Sequence, residues 1–214
     1  MAPWWQRIQR AFGSGPQSEP EKNPDTEAPA IIDTLDGAGS FLAAVTGKPM
    51  RCFSTRDFGR DEFTEARSVL VQASQAEPML GKIRSRLGPG LVAFIGTQTS
   101  HARPRPSGVE LLVGRGASQF DILRIAASDA VNYGKETEDL VKQLQVWDSA
   151  YGVDIFQAET DTIQFRLKII PADLKKFADE VYEFCPDIVD QGVESVDQLA
   201  KDIGESRKVL LWWD

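Results

Sequence analysis

Residues 153–169 read Val153-Asp-Ile-Phe-Gln-Ala158-Glu-Thr160-Asp161-Thr-Ile163-Gln164-Phe165-Arg166-Leu167-Lys168-Ile169. In the second half of this stretch Ile163, Phe165, Leu167 and Ile169 alternate with Gln164, Arg166 and Lys168. Period-two alternation is the pattern of a strand with one buried face, because successive side chains leave a strand on opposite sides. Val153 to Ala158 reads as its partner strand, and Thr160-Asp161 as the turn of a hairpin. The hairpin needs a cover for its apolar face, and the neighbouring segments supply helices.

Upstream, Glu136 to Tyr151 places Leu140, Leu144, Trp147 and Tyr151 at helical spacing, with Gly152 as the stop. Phe120 to Ala126 reads as a strand. Downstream, Pro171 opens a helix with Leu174, Phe177, Ala178, Val181 and Tyr182 on one face, and Pro186 closes it. Ser195-Val-Asp-Gln198 is a capping-box spacing ahead of the stripe Val196, Leu199, Ala200 and Ile203, which Gly204 ends. Val209 to Trp213 is a last strand. The resulting order, β-α-β-β-α-α-β, predicts an α+β fold. A mixed or antiparallel sheet would carry helices on one face, as a ferredoxin-like split βαβ variant.

The first part of the chain is less regular. Ser40 to Val45 suggests a short helix closed by Gly47, and Met50 to Ser54 and Ser68 to Ala73 suggest strands. Ser74 and Glu77 have capping-box spacing before Met79, Ile83 and Leu87, with Pro78 in the first turn and Gly88 as the stop. Leu91 to Ile95 and Val109 to Val113 are strands, joined by a loop over 97–108. Trp4, Trp5, Ile8 and Phe12 fall on one helical stripe, opposite Arg7 and Arg10. Residues 13–30, rich in Gly, Ser, Pro and Glu, read as a disordered linker. Three parts are expected: 1–30 as amphipathic helix plus linker, 31–116 as an N-terminal α/β subdomain, and 117–214 as an acidic C-terminal α+β domain.

Charge is distributed unevenly between these parts. The 214 residues carry 24 basic and 32 acidic side chains, a net charge of −8. Residues 1–116 hold 14 basic and 12 acidic groups, whereas 117–214 hold 10 and 20, a net of −10. A half this acidic repels the phosphates that supply most nucleic-acid affinity, so nucleic acid is not an expected partner. No apolar run approaches the roughly 20 residues that span a bilayer, and no apolar segment follows Arg7 and Arg10 as in a secretory signal. A cytoplasmic protein is expected, with only a weak membrane contact through residues 1–12. Cys52 and Cys185 have no ligand-type spacing and read as free packing thiols, Cys185 being the one with a reactive alternative.

Few residues suit catalysis. The single histidine, His101, lies in the loop Thr-Ser-His101-Ala-Arg-Pro, which reads as exposed rather than as the base of a nucleophilic triad. Zinc spacing, an Asp-x-Asp-x-Asp-Gly calcium loop and phosphate-binding glycine motifs are missing, and Gly88-Pro-Gly90 and Gly114-Arg-Gly116 read as turns. No catalytic residue, metal ligand or cofactor is assigned. The most distinctive segment is Glu180-Val-Tyr-Glu183-Phe-Cys185-Pro186-Asp187-Ile-Val-Asp190-Gln191-Gly192. Its four carboxylates suit an acidic face for arginines and lysines, a general acid/base pair or a weak cation site, or simple solvation around a tight connection. Trp212 and Trp213 must point to opposite faces of their strand, one towards the core and one available to a partner. Glu180, Glu183, Asp187, Asp190, Gln191 and Trp213 are therefore the candidate partner-binding residues.

Three blocks carry a resemblance. They are Gln119-Phe-Asp-Ile-Leu-Arg with Asp129-Ala-Val-Asn132-Tyr133, then Tyr182 to Gly192, then Leu211-Trp212-Trp213-Asp214. Together, over residues 105–214, they resemble a bacterial family of domains of unknown function that ends in this Leu-Trp-Trp-Asp tail. The resemblance implies a bacterial origin and makes the C-terminal half the defining domain, but it implies no activity. The expected function is a non-enzymatic, protein-binding module of a bacterium. Its concrete form would be an antitoxin or immunity protein that neutralises a basic toxin through its acidic surface. The alternative is a carboxylate-based hydrolase of unknown substrate, with or without Mg²⁺.

Overall fold

The computed structural model describes residues 30–54, 63–97 and 108–214. The hairpin is present as β5 (Val153–Ala158) and β6 (Thr162–Leu167), and β7 (Lys208–Trp212) pairs antiparallel with β6. Ile163, Phe165 and Leu167 are buried on one face while Thr162, Gln164 and Arg166 alternate on the other. A bulge between Ile155 and Gln157 shifts the register, so Ala158 returns to the face of Ile155 while Phe156 lies on the opposite one.

Four helices cover the Phe165 face. They are α3 (Asp121–Ala126), α4 (Thr137–Tyr151), α5 (Leu174–Phe184) and α6 (Val196–Ser206). Local chemistry fixes their starts. Glu136 and Asp139 form a reciprocal capping box on α4, Asp173 accepts the Lys176 amide at 2.9 Å, and Ser195 accepts the Gln198 amide at 3.1 Å. Their apolar faces meet at Trp147, whose ring stacks on Phe165 at 5.8 Å and takes Phe177 and Phe184 edge-on at 5.6 Å each. Full burial of such side chains stabilises by roughly 1.5–3 kcal/mol each.

The segment expected as a strand at 120–126 is instead α3. Asp121 accepts the amides of Ala117 and Ser118 at 2.8 and 2.9 Å, which starts a helix. Ile122, Leu123 and Ala126 then share one buried face, whereas a strand would separate 122 from 123. The C-terminal half thus contributes three strands instead of the four of the expected order. Gly204 does not end α6 either; the helix continues to Ser206 and stops at Arg207, held at φ 58°. Gln198 bonds Asp202 rather than returning to its cap.

The remaining strands come from the first half: β1 (Arg51–Ser54), β2 (Phe63–Val71), β3 (Leu91–Ile95) and β4 (Val109–Arg115). They complete a seven-stranded mixed sheet of order β1-β2-β4-β3-β5-β6-β7. Helices α1 (Leu35–Thr46) and α2 (Ala73–Arg84) pack on the face opposite α3–α6. Helix α1 is capped by Thr34 and closed by Gly47 at φ 63°, a left-handed conformation that glycine adopts without a Cβ clash. Both faces are apolar along β4, where Leu111 and Val113 enter the α1–α2 core and Leu112 the other. Helices therefore lie on both faces of the sheet as a whole, while α3–α6 share one. The Ser74/Glu77 box does not form. Helix α2 begins at Ala73 behind Gln72, which makes no side-chain cap, and Glu77 reaches the sheet to pair with Arg166 and Lys208. Pro78 lies within the helix, beyond its first turn.

The two halves of the sheet meet between β3 and β5, which run parallel and share one residue pair, Ile95 with Gln157. Below that pair, side chains take over from the backbone ladder. Arg84 donates from Nε to the Ala93 carbonyl at 2.9 Å and from its two Nη atoms to Asp154 and the Ile155 carbonyl. Gln119 donates to the Val153 carbonyl and accepts the Ile155 amide, both at 3.0 Å. Residues Ile31–Asp214 form one compact unit. Among the described residues, no helix is long and apolar enough to cross a membrane.

Candidate functional site at the C-terminal tail

The three distinctive sequence blocks converge on the last residues of the sequence. Asp187 is 4% exposed and gathers all three. Its Oδ1 accepts the Tyr133 hydroxyl at 2.6 Å and the Gln191 amide at 3.0 Å, and its Oδ2 accepts the Asp214 backbone N–H at 2.9 Å. The donors come from a 3₁₀ turn (Val131–Tyr133), a π turn (Ile188–Gly192) and the tail after β7. The turn holding Tyr133 is closed by paired backbone bonds between Ala130 and Lys135 and by Gly134 at φ 64°.

Further bonds clamp the same tail. Asn132 donates to the Asp214 carbonyl at 2.7 Å, and the Trp213 amide donates to the Asp161 carbonyl at 3.1 Å. The Cys185 thiol donates to the Trp212 carbonyl at 3.0 Å and accepts the Trp212 amide at 3.2 Å. The Tyr133 hydrogen bond holds the Asp187 carboxyl below the usual carboxylate range, helped by the Asp214 amide. In return, hydrogen bonding to Asp187 pushes the Tyr133 hydroxyl up to about 12. Burial pushes the Cys185 thiol up to about 11, so it stays protonated near neutral pH and is no nucleophile. It is a buried brace for β7.

Beside this junction lies a cavity of about 260 Å³, walled by residues 129–132, the hairpin turn at 160–161, and Trp213 with Asp214. Asp129 and Asp161 are half-buried on its wall, Asp214 is exposed, and no described lysine or arginine lines it. Val131, on the same wall, is 71% exposed. Trp213 is 4% exposed and packs edge-on against Phe184 at 5.8 Å, yet its buried indole Nε1 has no hydrogen-bond partner among the described residues.

The expected partner-binding residues thus divide. Asp187, Gln191 and Trp213 meet around the tail, with Asp187 saturated and Trp213 in the core. Glu183 and Asp190 are exposed, Glu180 is half-buried, and Asp190 accepts the Tyr182 hydroxyl at 3.0 Å. Trp212, rather than Trp213, is the half-buried member of the tryptophan pair. Among the described residues, no three of His, Cys, Asp and Glu come together as metal ligands. The alternative of a carboxylate centre at Glu183, Asp187 and Asp190 gains no support from this geometry, because Asp187 is committed to three internal donors. His101 and residues 1–12 lie outside the described residues.

The residues that sequence reasoning did not select are Asp129, Asn132, Tyr133, Asp161 and Asp214. Four of them stood in the quoted blocks, and the signal available was the co-occurrence of those blocks rather than any single motif. No curated protein and no solved structure matches this chain. Residues 111–214, the segment from within β4 to the tail that carries the Asp187 junction and its cavity, match the family model described as a domain of unknown function (DUF4253).

Proposed function

We propose that this protein is a protein-binding module whose acidic C-terminal half takes a basic protein partner. The observation that carries the reading is the exposed Val131 on the wall of a cavity bearing Asp129, Asp161 and Asp214. An apolar side chain held in water beside carboxylates is a surface suited to a partner that offers both apolar contact and positive charge. The net charge of −10 over 117–214 supports the same reading, because it steers a cationic protein towards this half. Glu183 and Asp190 are further exposed carboxylates of this half. Capping of a basic toxin in the cytoplasm is the concrete form that this charge balance favours.

The test is affinity capture from bacterial extract at low ionic strength, followed by reconstitution from purified components. A basic polypeptide should bind, release as salt rises, and bind more weakly to Glu183→Lys/Asp190→Lys. A reconstituted complex indifferent to both salt and charge reversal would overturn the reading.

A further inference from the structure

Strands β6 and β7 have one covered face and one open one. Ile163, Phe165, Val209 and Leu211 point into the core beneath α3–α6, and the residues between them point the other way. Opposite pairs on that outer face are Arg166 with Lys208, Gln164 with Leu210, and Thr162 with Trp212. The α1–α2 core stops short of it, holding Phe156 of β5 but no residue of β6 or β7. Leu210, at the centre of the strip, is an exposed apolar side chain, with Thr162, Gln164 and Trp212 half-buried around it. The edge of β7, by contrast, is closed to further strand pairing. Ser206 Oγ accepts the Lys208 amide at 3.0 Å, and the Cys185 sulfur holds both backbone groups of Trp212. A partner therefore meets the face rather than the edge.

Charge along this strip is sorted by position. From the midpoint at Gln164 and Leu210, Lys168 lies four residues towards one end and Arg207 three, both exposed. Asp161 lies three residues, and Asp214 four, towards the other end. At about 3.4 Å per residue the charged ends are roughly 27 Å apart. Glu77 and Asp154 offset the inner cations Arg166 and Lys208, so Lys168 and Arg207 give their end its sign. A uniformly basic or acidic partner would match one end and be repelled by the other. A second copy laid antiparallel across a two-fold axis matches both. Lys168 then lies over Asp214, Arg207 over Asp161, and the Arg166–Lys208 pair over Trp212, each contact occurring twice. We propose that the outer face of β6 and β7 is the contact of a homodimer, with Leu210 meeting its own counterpart at the axis. The inference stands apart from the basic-partner reading. A strip two strands wide belongs with the small, weak interfaces below about 1,200 Å², so the dimer should dissociate on dilution.

The test is sedimentation velocity on the full chain at low ionic strength, from low micromolar to near-millimolar concentration. The parent should pass from monomer to dimer as concentration rises. Leu210→Glu, at an exposed position outside the core, should keep its circular dichroism spectrum and stay monomeric. Lys168→Glu and Asp214→Lys should each weaken the dimer about tenfold, because each sets like charges together twice across the axis. Their combination should restore the parent's dimerisation. A parent that stays monomeric to near-millimolar concentration, a dimer that survives Leu210→Glu, or a double variant no better than the singles would each overturn the proposal. So would a monomeric parent whose capture of a basic protein is lost in Leu210→Glu, since the face would then belong to that partner.

Discussion

The Asp187 junction and the cavity beside it share two stretches of chain, the turn at 129–133 and the tail, and the same acidic residue type, yet their carboxylates have opposite fates. Asp187 is buried and accepts from Tyr133, Gln191 and the Asp214 amide, so its charge is spent holding the tail. Asp161 and Asp214, on the cavity wall, keep access to water. Acidic residues gathered in one part of the fold are thus no single surface. What separates structural from available carboxylates is how many donors the fold directs at each one.

The largest expected effect breaks the junction. Asp187→Ala leaves three donors without their acceptor and should lower stability by about 2–3 kcal/mol in urea denaturation. A loss under 0.5 kcal/mol would mean that the junction is ornamental. Second is the seam between β3 and β5, where side chains also replace backbone ladders. Arg84→Ala removes donors to Ala93, Asp154 and Ile155 and should cost about 1–2 kcal/mol by the same measurement.

The third effect is on pH. The Cys185 thiol is held near 11 in the fold against an ordinary value of about 8.5 in the unfolded chain. Between those values the unfolded chain releases a proton that the folded chain keeps. Stability should therefore be intact below about pH 8.5 and fall as pH rises towards 11, with a limiting slope of about 1.4 kcal/mol per pH unit for one proton. Tyr133, raised to about 12, adds to the same trend at higher pH. Cys185→Ala should flatten the first part of this fall, and an unchanged slope in that variant would assign the effect elsewhere. The smallest effect falls on the cavity. Asp161→Asn should leave the urea midpoint within about 0.5 kcal/mol of the parent, as for surface substitutions that break no network.

Much of the architecture follows from local pattern. The alternation over 163–167 and the apolar stripe of α4 each point to one structure, and both are present where the spacing places them. The failures share a cause. Residues 120–126 are apolar and short enough to read as a strand, and only Asp121 turning back on two amides makes them a helix. Ser74 and Glu77 have the spacing of a cap, but Arg166 and Lys208, about ninety and more residues away in sequence, compete for the Glu77 carboxylate and win. The site was legible as a set of blocks and not as a geometry, since nothing in Cys185-Pro186-Asp187 says that Tyr133 lies 2.6 Å away.

The position of β4 bears on how this domain is inherited and dissected. The family match starts at residue 111, inside β4, yet β4 sits between β2 and β3, and β3 separates it from β5. A fragment cut at the family boundary would lose both strands that hydrogen-bond β4, exposing two bare backbone edges and the apolar side chains of Leu111 and Val113. The stretch recognised by sequence kinship is therefore shorter than the stretch able to fold. The compact unit that supplies β4 with both its neighbours begins near residue 31 rather than 111.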